Sequence, residues 1–125
     1  MFELLYLKLK PEEVSPLVLA YIGDAVYELL IRHYLIAQGP DKLNKIHKEA
    51  VKYVRADTQA KVLHIIQQTL SIEELEIVRR GRNAKPGSTP KSSTAIEYRH
   101  STGFESLIGY LYITGKKESL SEIIK

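Results

Sequence analysis

No stretch of this chain alternates apolar and polar residues for long enough to form a half-buried strand, and its glycines and prolines cluster at a few breaks. The remaining runs have helical spacing. Leu17, Ala20, Tyr21, Asp24, Ala25, Glu28 and Leu29 follow one another at helical intervals through a segment from about Pro16 to Ala37, which Gly39-Pro40 stops. A second helix is expected to start after Asp41 and run to about Tyr53, with Leu43, Ile46, Ala50 and Val54 on its apolar face. A third should span Asp57 to Thr69 and turn Val62, Ile65 and Ile66 inward. Ser71-Ile-Glu-Glu74 is a capping-box pattern, in which the Ser oxygen and the Glu carboxylate satisfy free N–H groups, and it opens a fourth helix to about Ala84. Lys85-Pro-Gly-Ser-Thr-Pro90 reads as a loop. A long helix follows from about Ser93 to Thr114, ended by Gly115, and a short amphipathic piece runs from Ser119 to Ile124. No repeat or linker divides the 125 residues, so the expectation is one all-α domain over residues 1–125, long enough to bury a core without staples.

Composition removes several chemistries. Cysteine is absent, which excludes disulfides, zinc ribbons and thiol catalysis. With 4 His, a metal would rest mainly on oxygen ligands. The N-terminus has no basic region leading into an apolar run and a cleavage site, and Asp24, Arg32 or Glu105 interrupts the longest apolar stretches. The expectation is a cytoplasmic protein without a membrane span.

The formal net charge of +3 conceals an uneven distribution. Between Arg79 and His100 stand Arg79, Arg80, Arg82, Lys85, Lys91 and Arg99 against the single acid Glu97, a net of +5, which leaves the rest of the chain at −2. Such a segment suits a polyanion, because basic side chains held together release counterions condensed on phosphates. The plainer reading is a solvated basic loop.

Two helices carry an acid where an apolar residue would be cheaper. Asp24 lies in Tyr21-Ile-Gly-Asp-Ala-Val-Tyr27, and Glu105 in Gly103-Phe-Glu-Ser-Leu-Ile-Gly-Tyr-Leu-Tyr112. A carboxylate buried in such surroundings is unfavourable unless it is paired or bound to a cation. Two buried acids on neighbouring helices repel, and a shared divalent ion turns that repulsion into binding. Against this stands the fact that most helical acids face water. Glu28, one turn past Asp24, is either a supporting partner or a surface acid. The small neighbours of Asp24, Gly23 and Ala25, allow a backbone or a ligand to approach closely.

Leu19-Ala-Tyr-Ile-Gly-Asp-Ala-Val26 and Phe104-Glu-Ser-Leu-Ile-Gly-Tyr-Leu-Tyr112 resemble, in order and separation, the two signature helices of the ribonuclease III endonuclease domain. The resemblance is strongest to the Mini-ribonuclease III branch. It includes Ala20 to Glu28, the Arg-Arg-Gly-Arg-Asn-Ala-Lys run from Arg79 to Lys85, and Tyr98 to Tyr112, and it covers most of Leu17 to Gly115. It implies an all-α nuclease domain that acts as a homodimer on double-stranded RNA with Mg²⁺, or Mn²⁺ as a substitute. Asp24 and Glu105 match the metal-binding, catalytic acids. Tyr21 falls where the wider family places an aromatic that plugs into the other subunit; the alternative is a core aromatic. Ala20 and Thr102 stand where the wider family has two further acids, a reduction this branch shares, so the number of metal ions per site is open. No C-terminal double-stranded RNA-binding domain is expected, so Arg79, Arg80, Arg82, Lys85, Lys91 and Arg99 are candidates to contact RNA phosphates. Double-stranded RNA is read largely by shape and backbone, so sequence preference should be modest. His100 is either a proton shuttle beside Glu105 or a structural hydrogen-bonder. The resemblance further implies maturation of precursor 23S ribosomal RNA in a bacterium, with a ribosomal protein as a candidate presenter of the substrate.

Other classes fare worse. Glu97-Tyr-Arg-His100 is the Glu-x-x-His element that di-iron bundles need twice, and it occurs once. Gly109 to Lys117 fails the phosphate-loop spacing. A non-catalytic RNA-binding or ribosome-associated protein of the same fold would be expected to lose the acids, and a purely protein-binding helical domain would leave the basic segment without a role.

Overall fold

Ser15 opens the first long helix by accepting a hydrogen bond from the free amide of Val18 (3.2 Å), and Pro16 takes a first-turn position where its missing N–H is no loss. In the computed structural model, which describes residues 10–39, 41–84 and 95–124, this helix, α1, runs Pro16–Gln38. Then come α2 (Leu43–Val54), α3 (Ala56–Ile66), a 3₁₀ turn (Gln67–Thr69), α4 (Ile72–Asn83), α5 (Ala95–Ile113) and α6 (Lys117–Ile124). No strand occurs among the described residues, and the fold is all-α as the periodicity predicts. Among these residues no helix is long and apolar enough to cross a membrane.

The local signals act as the sequence suggests. Glu74 N–H donates to the Ser71 hydroxyl (3.1 Å) while Ser71 N–H donates to the Glu74 carboxylate (2.9 Å), a complete capping box at the start of α4. At the end of α5 the Lys116 amide reaches back to the Leu111 carbonyl (2.9 Å) and the Gly115 amide to that of Tyr112 (3.1 Å). This pattern needs a left-handed residue, and Gly115 supplies it at φ 73°. The expected loop Lys85–Pro90 lies outside the described residues.

α5 is the axle of the domain, with α1, α3 and α4 packed along it. Ser101–Phe104, Ser106–Gly109 and Leu111 are all buried, so this helix is enclosed on nearly every side. Phe104, Leu107 and Ile108 sit at its centre with Val26, Tyr27 and Ile31 of α1, Leu63 of α3 and Val78 of α4. The Tyr27 ring meets Phe104 edge-on at 5.0 Å, its hydroxyl donates to the Tyr53 carbonyl (3.3 Å), and burial raises its pKa to about 12. Two positions expected inside are not. Ile65 is 72% exposed because Gln59, Val62, Leu63 and Ile66 set the phase of α3, and Leu63 holds the core place. Leu43 keeps phase with Ala50 but stands in the first turn of α2, past the packed part of the domain, and is 83% exposed.

Glycines decide how close the helices come. A Cβ on Gly23 would overlap the Glu105 carbonyl oxygen and lie 2.8 Å from the Gly109 amide nitrogen. A Cβ on Gly109 would in turn overlap the Leu19 carbonyl. On the other side of α5, Cβ atoms on Gly81 and Gly103 would meet the Ser106 hydroxyl (2.6 Å) and the Val78 carbonyl (2.9 Å). α5 is therefore gripped by α1 and α4 at backbone contact. The buried Ser106 hydroxyl lies 2.8 Å from the Thr102 carbonyl and 2.9 Å from that of Pro16, which ties α5 to the start of α1.

Candidate active site

The glycine crossing of α1 and α5 sets up the chemistry. The residue after Gly23 is Asp24, and the carbonyl against which Gly23 packs belongs to Glu105, so close backbone approach brings the two acids side by side. The small residue beside Asp24 thus admits a backbone, that of α5. The acids differ in setting. Asp24 is exposed rather than buried, since it lies at the edge of the buried face of α1, while Glu105 is mostly enclosed by the domain.

The Glu105 carboxyl is pushed up from 4.5 to about 8. Burial is the main cause, a hydrogen bond and charge repulsion from Asp24 add to it, and the more distant charge of Glu28 contributes least; a hydrogen bond from the Gln59 side chain opposes them. Glu28 thus faces the pair while sharing a loose, exposed ion pair with Arg32 (3.8 Å). Among the described residues no group of three or more His, Asp or Glu is gathered closely enough to hold a metal by itself. Ala20 is buried, and the Thr102 hydroxyl donates to the Tyr98 carbonyl of its own helix (3.0 Å), so neither adds an anionic ligand. His100 is half-buried on α5.

Gln59 does not stand out in the sequence as Asp24 and Glu105 do. Its side chain is 1% exposed, one of two fully buried polar side chains among the described residues, together with Ser106. The signal was available: Gln59 shares the apolar stripe of α3 with Val62, Leu63 and Ile66, at helical spacings of three, four and seven.

The basic candidates are dispersed. Arg79 is exposed and turned toward Glu76 one turn earlier, with Arg79 Nε 2.9 Å from the carboxylate. Arg80 and Arg82 are partly buried, and the Arg82 stem lies across Gly103 at the α4–α5 crossing. Arg99 is exposed on α5, about 9 Å along the axis from Glu105 at 1.5 Å per residue. Lys85 and Lys91 lie outside the described residues. Tyr21 is 83% exposed and no part of the core. With Val18, Leu29 and Ile36 it forms an exposed apolar stripe along α1, and Asp24 and Glu28 lie between that stripe and the buried face.

Known proteins resemble this chain in sequence and in fold. The ribonuclease III domain model matches residues 17–116. The Mini-ribonuclease 3 of Brevibacillus brevis is 52% identical over 115 residues, which are 92% of this chain and 86% of that protein. That of Symbiobacterium thermophilum is 47% identical over 92% of this chain and 88% of its own length. A crystal structure of a Fusobacterium nucleatum protein, 34% identical, superposes with a TM-score of 0.83 over 90% of this chain and 89% of that one. An all-helical fold, two acids brought together at a glycine crossing and this degree of identity across nearly the whole chain agree: the protein belongs to the Mini-ribonuclease III family of ribonuclease III-domain endoribonucleases.

Proposed function

We propose that this endoribonuclease hydrolyses phosphodiester bonds of double-stranded RNA with Mg²⁺, for which Mn²⁺ can substitute, and that Asp24 and Glu105 are its catalytic, metal-holding residues. The observation that carries the reading is the enforced proximity of these two carboxyls, with Glu105 held far above its ordinary range. A fold gains nothing by desolvating an acid beside another acid unless something positive joins them. The donor set fits a hard divalent cation: two carboxylates, one facing solvent, in a protein whose described residues include no competing cluster of soft ligands. A bound Mg²⁺ supplies a Lewis acid that activates water and stabilises charge on the scissile phosphate. Glu105 would hold it from the domain side, and Asp24 from the open side where RNA arrives. With two anionic ligands, phosphate oxygens of the substrate would complete the shell, so the affinity without RNA should be modest.

The working unit in this reading is a homodimer that buries the Val18–Tyr21–Leu29–Ile36 stripe, Tyr21 inserting into the partner subunit. Arg79, Arg80, Arg82, Arg99 and the undescribed Lys85 and Lys91 would contact phosphates. The cellular substrate would be precursor 23S ribosomal RNA in the cytoplasm, presented with a ribosomal protein. The test is cleavage of a generic RNA duplex with Mg²⁺ by wild type, Asp24→Asn and Glu105→Gln, variants that keep shape while removing an anionic ligand. Cleavage by wild type alone, with duplex binding retained in both variants, upholds the assignment. Binding without cleavage by wild type, on ribosomal precursor stems as well, overturns it in favour of a non-catalytic RNA-binding role.

A further inference from the structure

α2 buries a single residue, Ala50, and its first turn stands past the packed part of the domain, yet its far end is fastened at three points. The last carbonyls of a helix have no partner within it and must find one elsewhere. Here the last three of α2 each meet a side chain from another helix. The Thr58 hydroxyl donates to the Lys52 carbonyl (2.7 Å), the Tyr27 hydroxyl to that of Tyr53 (3.3 Å), and Gln59 Nε2 to that of Val54 (3.3 Å). Tyr27 and Gln59 are 2% and 1% exposed, and the Tyr27 ring packs on Phe104 of α5, so two of the three caps reach out from the core. Arg55 ends α2 and opens α3 at once, which leaves no loop to flex between them. Gln59 keeps its cap although its Oε1 is buried without a hydrogen-bond partner, a cost that an apolar side chain would avoid.

The anchored helix is cationic on its outer side. Residues 42–55 hold five basic residues against the acid Glu49, a net of +4 that Asp41 and Asp57 at either end partly conceal. Lys45, Lys48, Lys52 and Arg55 follow at spacings of three, four and three, so they form one exposed row. Lys45, Lys52 and Arg55 stand beside Asp41 (3.5 Å), Glu49 (3.0 Å) and Asp57 (3.2 Å), while Lys48 is in no ion pair among the described residues. Exposed pairs of this kind contribute little and leave the cations available to phosphates. On a helix that swung freely such a row would have to be ordered on binding, whereas a fastened helix presents it already in place.

We infer that the α2 row is a second surface for the phosphate backbone of an RNA duplex, apart from the Arg79–Arg99 segment, and that Tyr27, Thr58 and Gln59 are positioning residues that hold it in place. The inference rests on the duplex reading above and deepens it. The three caps touch no RNA; they act through α2.

Duplex affinity is measured in EDTA for wild type and two sets of changes. Lys45→Gln/Lys48→Gln/Lys52→Gln removes most of the row, and should bind more weakly, with a slope of log K against log salt smaller by about three. Tyr27→Phe/Thr58→Val removes two caps while keeping ring and volume. It should bind roughly 3–30-fold more weakly at an unchanged salt slope, because α2 must then be ordered by the RNA itself. Combining the two sets separates positioning from mere support: the cap changes should cost little further affinity once the row is gone. A cap variant that melts lower but binds as wild type does, or that loses the same affinity with and without the row, overturns the positioning role. Should the double change not fold, Tyr27→Phe alone, which keeps the ring against Phe104, carries the same comparison. Undiminished affinity and salt slope in the row variant overturn the surface itself while leaving the duplex reading in force. A wild type that binds no duplex overturns that reading and this inference together.

Discussion

Replacing Glu105 by glutamine should make the metal-free protein more stable while abolishing cleavage. In the unfolded chain this carboxyl titrates near 4.5, and in the fold near 8. The folded state therefore holds the proton more tightly than the unfolded state, and wild-type stability falls as pH rises. The contribution of this proton is fully present below pH 4.5 and lost once pH passes about 8. The glutamine side chain of Glu105→Gln does not titrate, so the two proteins should be close in stability near pH 4.5 and diverge above it by about 1.4 kcal/mol per pH unit. At pH 7 the gap reaches about 3 kcal/mol at most, and roughly 2 kcal/mol once residual solvent contact is counted. For a domain of this size that is a rise in melting temperature on the order of 10 °C. The assay is thermal unfolding of both proteins in EDTA from about pH 4.5 to 9, bracketing the two titrations, repeated with Mg²⁺. Under the cation reading Mg²⁺ should stabilise the wild type and leave Glu105→Gln unmoved. Parallel curves in EDTA over the whole range would refute the reasoning, since they mean that Glu105 is neither desolvated nor repelled by Asp24.

Two further outcomes test the packing and the charge. Gly23→Ala gains about 1 kcal/mol of helix propensity yet should lower stability in urea unfolding, because its Cβ meets the Glu105 backbone and overpacking of this kind costs about 1–3 kcal/mol or more; equal or higher stability would contradict the backbone crossing. Removing Arg80 or Arg82 should weaken duplex binding and reduce the slope of log K against log salt by about one each. Arg79→Ala should cost less, since its guanidinium already faces Glu76, and a larger loss from Arg79 than from the other two would reverse that ranking.

How much of the site the chain discloses varies by residue. Asp24 and Glu105 stand out because each puts a charge into an apolar run, a local anomaly visible without coordinates. Gln59 is an anomaly of the same kind but a quieter one, since a neutral amide on an apolar stripe disturbs the pattern less than a carboxylate. The exposure of Tyr21 and Ile65 and the burial of Gln59 depend on which face of each helix meets α5, and the pattern of one helix leaves that phase ambiguous by a residue.

The helices, their caps and their breaks were determined by the sequence alone, because Ser15, Ser71, Glu74 and Gly115 act on backbone groups within a turn of themselves. The pairing of residues 81 positions apart was not. Asp24 and Glu105 become one site only because α1 and α5 cross where glycines leave no Cβ between two backbones. The raised pKa of Glu105 likewise belongs to no local segment: it arises from burial among the helices around α5 and from a charge that α1 delivers. Short-range hydrogen bonding is written in the order of residues, whereas desolvation and repulsion exist only once distant segments are packed together.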